Sequence, residues 1–188
     1  DSGSNGYYVN YRAYKDEKPV INGAKEIGGW KLHDAERNIY AAPACGIQTR
    51  QLYVNGKRAV RARSDKSLTE AKKTETGYLC DDFYLTELKR PQDLEFVWVV
   101  LWTNPRCGVS EITKNKDGKT EITMKQPGWK YVTSNVRGSQ VNVTAPSWME
   151  NAYEFLDEPG EFYLNTDEDM FYYIPREDED LSEATVYA

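Results

Sequence analysis

The sequence predicts an all-β fold: an antiparallel β-sandwich or barrel with short helical turns. Three observations carry that prediction. RQLYVNGKRAVRAR (residues 50–63) sets Asn55-Gly56 between two strand-like runs. That dipeptide suits a two-residue type I′ turn, because Asn and Gly tolerate positive φ at both centres. Turn signals recur about every 8–12 residues, the spacing of sandwiches and barrels. Tyr, which alone counts 14, joins Val, Ile, Thr and Trp in the periodic runs, whereas helical stretches are few and short.

The elements follow in order. Residues 1–5 are polar. Residues 7–14 alternate, with Tyr8, Asn10, Arg12 and Tyr14 on one face and Tyr7, Val9, Tyr11 and Ala13 on the other, which predicts a strand. Residues 15–19 turn, and Val20-Ile21 starts a short strand closed by Asn22-Gly23. Residues 27–33 follow, and the Asn-Gly hairpin begins after residues 43–46. On its second strand Lys57, Ala59, Arg61 and Arg63 share a face, opposite Arg58, Val60 and Ala62. Residues 64–73 are polar, a loop or one marginal helix. Residues 78–85 read as extended, and 86–90 as one helical turn before Pro91. Residues 94–102 contain the longest apolar run and predict a central strand, apolar on both faces. Residues 109–113 and 120–124 flank Lys116-Asp117-Gly118, a second hairpin signal, and Pro127-Gly128 breaks the latter strand. Residues 140–144 alternate, and 146–156 suit a short helix. Residues 161–165 and 170–174 are strands across the acidic turn 166–169, Pro175 ends the second, and 185–187 make a last edge strand. No repeat of fixed period appears, and a soft boundary falls near Pro43.

Net charge is −6, which argues against general nucleic-acid binding. The acid is concentrated: residues 157–183 hold eleven Asp or Glu against one basic residue, Arg176, so the remainder is mildly basic (23 basic against 19 acidic). A solvated face is the plain reading of the acidic stretch, and its spacing fits no EF-hand loop. Cys45, Cys80 and Cys107 include no CxxC pair, and their odd number argues for reduced thiols rather than a disulfide framework. His33 is the sole histidine, which excludes a multi-histidine metal site and disfavours a Ser-His-Asp triad. Neither a cofactor nor a metal is implied. No apolar run reaches the length of a spanning helix, so no membrane partner is expected. The chain opens at Asp1 without a signal-peptide pattern and reads as a mature form or an excised piece. Asn142-Val143-Thr144 is a glycosylation sequon, relevant only on a eukaryotic secretory route.

Three residue groups bear on chemistry. Glycoside hydrolysis commonly needs paired carboxylates, and Asp81/Asp82, Asp93/Glu95, Glu111/Glu121 and Glu150/Glu154 are available. None has a distinctive frame, and solvated cross-strand carboxylates are the simpler reading. Tryptophan faces suit the C–H faces of sugars. Trp98 lies mid-strand and reads as core. Trp102, Trp129 and Trp148 lie at element ends or in loops, where they either bind sugar or plug a core edge. Arg50, Arg61, Arg63 and Arg106 either fork onto a carboxylate such as a uronic acid or pair with the acidic C-terminal segment.

RQLYVNGKRAVRAR, ENAYEFLDEPGEFYL (residues 150–164) and FYYIPR (residues 171–176) together resemble large carbohydrate-active enzymes built on a right-handed parallel β-helix, with a β-sandwich module inserted near its start. Glycoside hydrolase families 141 and 120 are the nearest in kind. The resemblance implies that residues 1–43 are strands of a truncated β-helix and residues 44–188 the inserted module. It places the catalytic acids on later coils that this chain lacks, so no catalytic residue is expected here. The function it implies is that of a non-catalytic accessory domain, shaping the substrate groove or binding carbohydrate; a structural cap on the β-helix is the alternative. Its partners would be a poly- or oligosaccharide and the remainder of the parent enzyme. The binding candidates are Trp102, Arg106, Trp129, Trp148 and Glu150, the last opening the strongest family-like segment. A parent acting on polysaccharide favours a secreted or extracytoplasmic setting.

Overall fold

The computed structural model describes residues 2–64, 66–100, 103–134 and 145–188. Its strands in chain order are β1 (Lys31–Asp34), β2 (Ile39–Pro43), β3 (Tyr53–Val54), β4 (Lys57–Arg58), β5 (Val60–Arg61), β6 (Arg63–Ser64), β7 (Lys72–Lys73) and β8 (Gly77–Cys80). They continue with β9 (Glu95–Val97), β10 (Arg106–Lys114), β11 (Thr120–Met124), β12 (Trp148–Glu150), β13 (Glu161–Asn165), β14 (Met170–Tyr173) and β15 (Val186–Tyr187). A short helix, α1 (Gly128–Thr133), and 3-10 turns at Phe83–Glu87, Pro91–Asp93 and Tyr153–Phe155 join them. The chain is all-β, as its sequence predicts.

The strands form three sheets, ordered β1-β2-β14-β13-β5, β6-β12-β9-β10-β11-β8-β7 and β15-β3-β4. The five-stranded sheet is the middle layer. Alternate residues of its strands enter two separate apolar clusters: Ile39, Ala41, Tyr163 and Tyr172 pack with the seven-stranded sheet. Ala42, Phe162, Leu164, Phe171 and Tyr173 pack with Leu52, Val54 and Val186 of the three-stranded side. Period-two alternation puts successive side chains on opposite faces, so a strand buried on both faces must be apolar throughout. β13 is buried along its whole length: Phe162, Tyr163 and Leu164 are apolar, and its polar ends, Glu161 and Asn165, accept backbone hydrogen bonds.

The Asn55-Gly56 turn forms as expected, with φ of 50° and 75° and pairing of Val54 with Lys57. Beyond it the chain does not continue as one strand. Residues 57–64 cross all three layers in succession: β4 pairs with β3, β5 runs parallel to β13, and β6 pairs with β12. Ala59 is buried in one cluster and Ala62 in the other. The simple alternation read from this stretch therefore fails, because each short strand belongs to a different sheet. The hairpin of β10 and β11 does form around Gly118 (φ 79°), with Lys114 opposite Thr120.

Asn151 joins two layers. It is fully buried, and its side-chain amide donates to the Asp93 carbonyl (2.9 Å) and the Leu164 carbonyl (3.1 Å). Its Oδ1 accepts from the Leu164 N–H at 3.0 Å. Leu164 lies on β13, whereas Asp93 precedes β9 of the seven-stranded sheet, so one amide pins the sheets together.

Several sequence expectations are corrected. Residues 7–14 and 20–21 form no strand: their side chains are exposed, and no neighbouring strand pairs with them among the described residues. Residues 31–43 do not stack as parallel rungs. β1 and β2 pair antiparallel, and β2 pairs antiparallel with β14, so these residues belong to the middle sheet and Pro43 is the end of one of its strands. Of the expected central strand at 94–102, the described residues 94–100 hold only β9, because Val99 turns out to solvent, and residues 101–102 lie outside the described residues. The expected helix at 146–156 is instead β12 followed by a 3-10 turn. The alternating run 140–144, its sequon and Trp102 lie outside the described residues.

Candidate functional site

Where residues 57–64 pass from the middle sheet to the seven-stranded sheet, a groove of about 1210 Å³ opens. β12 and β9 lie side by side there, with Glu150 directly opposite Glu95. Like charges facing each other across a sheet are destabilising unless a cation intervenes. Arg61, delivered by β5, intervenes: one Nη donates to Glu95 and to Glu150, the latter at 3.1 Å. Arg50 adds a fork onto Glu95, with Nε to Oε2 at 2.8 Å and Nη2 to Oε1 at 2.6 Å. Arg106 donates Nε to Glu150 at 3.2 Å and Nη1 to Asn104 at 2.7 Å. The Trp148 indole N–H donates to Glu150 Oε2 at 2.9 Å, and the Arg63 guanidinium lies 5.8 Å from the indole ring centre.

Electrostatics follow from this packing. Burial opposes the Glu95 charge, yet the Arg50 fork and the Arg61 guanidinium outweigh it and hold the carboxyl at about 2. The same fork raises the Arg50 pKa above its ordinary value. Hydrolysis of a glycoside by two carboxyls needs one of them kept protonated as the general acid. Glu95 is held in the opposite state, and both carboxylates are engaged by arginines, Glu95 by Arg50 and Arg61 and Glu150 by Arg61 and Arg106. Among the described residues a raised carboxyl is found at Glu161. Burial pushes it to about 7 against two backbone N–H bonds from Asp157 and Glu158, and it lies outside the groove lining.

Of the residues singled out from sequence, Arg106, Trp148 and Glu150 come together in the groove, with Arg50, Arg61 and Arg63 beside them. The arginines at 50, 61 and 106 pair with Glu95 and Glu150, not with the acidic C-terminal segment. That segment instead takes Lys57 through Asp178 and Arg90 through Asp167. Trp129 is a correction. It sits in α1 at 1% exposure, its indole donates to the Glu75 carbonyl, and its ring packs on Tyr78 and Trp98, so it has no face to offer a sugar. Lys125 also lines the groove, and nothing in its local sequence marks it. Glu95 was visible as one carboxylate of several, and its position between Leu94 and Phe96 was the stronger signal: a charge inside an apolar strand needs a partner.

The fold and groove define a layered, all-β module with a polar cleft built on Glu95, Glu150 and the arginines that pair with them. The chain belongs to the GH141 insertion domain family, whose description matches residues 36–176. A solved structure named only as a glycoside hydrolase superposes on 93% of the chain with a TM-score of 0.75 at 25% sequence identity. The chain spans 32% of that protein's length. No curated protein matches.

Proposed function

We propose that this insertion domain is a non-catalytic accessory module of a glycoside hydrolase, and that its groove receives carbohydrate and forms one wall of the substrate path. The observation that carries this reading is the combination of Trp148 with fixed polar donors in one open cleft. A half-buried indole supplies apolar area for a sugar face, and donors pre-set by Glu95 and Glu150 supply orientation at low entropic cost. The parent enzyme would provide the catalytic carboxyls, and residues before Ile27 would lead toward its β-helix.

A second reading, a structural cap that binds no ligand, is favoured by one observation. The N-terminal segment carries large exposed apolar side chains, among them Tyr8 at 89% and Ile21 at 96%. Such surface suits burial against further chain.

A glycan-array screen of the 188-residue chain, with hits repeated by NMR titration, separates the two. A hit that shifts the Trp148 indole resonance and weakens on Trp148→Ala supports the carbohydrate groove. Absence of any hit, with the chain gaining stability when joined to the parent β-helix, supports the cap.

A further inference from the structure

The groove's charge is opposite to that of the protein. The chain carries −6 overall, yet six cationic side chains line this cleft: Arg50, Arg58, Arg61, Arg63, Arg106 and Lys125. Three carboxylates oppose them. Glu95 and Glu150 are paired as above, and Asp93 is taken up by Tyr163, Thr166 and Arg90. An excess of positive charge concentrated in a concave site raises the local concentration of anions.

A second observation is independent of that count. The Arg61 side chain is nine-tenths buried, at 10% exposure, and among the described residues its Nε has no hydrogen-bond partner. A buried N–H donor without an acceptor is costly, and a charged one more so. Arg50, by contrast, is 56% exposed while its guanidinium is fixed by Glu95. Arg50 and Arg106 both retain N–H donors beyond those already engaged. The half-buried Trp148 ring lies beside Glu150, the residue that holds Arg106 and Arg61.

We infer that the groove takes a glycan bearing a carboxylate, a uronic acid, with the sugar carboxylate set against Arg50, Arg61 and Arg106 and a pyranose face on Trp148. This rests on the carbohydrate reading above and narrows its ligand class. A planar guanidinium matches a carboxylate in two parallel bonds, and Arg50 already displays that geometry on Glu95. Glu95 and Glu150 repel the incoming anion, so binding is modest and salt-sensitive.

The test is calorimetric titration of the 188-residue chain with tetrauronides of galacturonate and mannuronate, their carboxyl-reduced neutral counterparts, and a sulfated tetrasaccharide. At least one tetrauronide should bind about tenfold or more tightly than its reduced form. Its affinity should fall several-fold between about 50 and 500 mM NaCl. Arg106→Gln and Arg50→Gln should each weaken it about tenfold with unchanged circular dichroism, the exposed Arg50 serving where the Arg106 variant perturbs folding. Equal binding of the reduced tetramer overturns the carboxylate inference and leaves the carbohydrate groove standing. Tighter binding of the sulfated sugar overturns it in favour of a general anion site. Failure of every tetrauronide, with array hits on neutral glycans at Trp148, overturns the inference alone; failure of both experiments overturns the carbohydrate reading too.

Discussion

Replacing Asn151 with Ala should be among the most damaging single changes in this protein. The native side chain makes three hydrogen bonds, two donated to the Asp93 and Leu164 carbonyls and one accepted from the Leu164 N–H, all at a fully buried position. Each such bond contributes roughly 1 kcal/mol net, and its loss leaves a buried backbone group unpaired. Asn151 also sits at φ 68°, where Asn is tolerated and Ala costs about 1 kcal/mol more. The total is about 4 kcal/mol, a large part of a typical domain's stability. For a chain of this size that corresponds to a fall of roughly 8–16 °C in Tm. Urea unfolding followed by tryptophan fluorescence reads it directly, with an unchanged m-value as the sign that only stability moved. Asn151→Gly removes the same bonds without the φ penalty and should be about 1 kcal/mol milder than Asn151→Ala. A loss under about 1.5 kcal/mol for Asn151→Ala refutes the idea that this amide pins the two sheets, and a glycine variant no milder than the alanine one refutes the φ contribution.

Two further expectations concern pH. Glu161 is held at about 7, above its unfolded value, so between roughly pH 4.5 and 7 the folded chain keeps a proton that the unfolded chain has released. Its contribution therefore falls as pH rises through that window, and Glu161→Gln should stabilise the protein by about 2 kcal/mol at pH 8 and hardly at all near pH 4. Equal effects at the two pH values would show that ionisation is not the cause. Glu95 behaves oppositely: its carboxyl, held at about 2, stabilises above roughly pH 4.5 and loses that contribution as pH falls toward 2. Glu95→Gln should cost about 2 kcal/mol at pH 7 and progressively less toward pH 2 in thermal melts, whereas a constant decrement would implicate packing instead.

Two strands of the middle sheet, β13 and β14, were legible because their local signals agree with their final environment. Residues 162–164 and 170–174 are apolar in consecutive positions across an acidic turn, and they supply the strands buried on both faces. The 55–56 and 116–118 turns were legible because positive φ is a local requirement that few residues meet. The N-terminal alternation at 7–14 misled, since alternation marks a strand only where a partner edge exists, and no described residue provides one. Trp129 misled for a related reason. A tryptophan after Pro-Gly reads as a loop residue, but α1 turns it onto Tyr78 and Trp98.

By itself the sequence determined the class of fold, the hairpins, the free thiols and the residue types available to a binding site, because these depend on local backbone preferences and composition. The tertiary structure decided which arginine meets which glutamate. Arg61 reaches Glu95 and Glu150 across separations of 34 and 89 residues, and it does so because residues 57–64 change sheets twice within a few steps. Such a crossing has no local signature: each of its short strands is fixed by a neighbour that lies far away in the chain. The charge of the groove, positive within an acidic protein, is a product of that convergence.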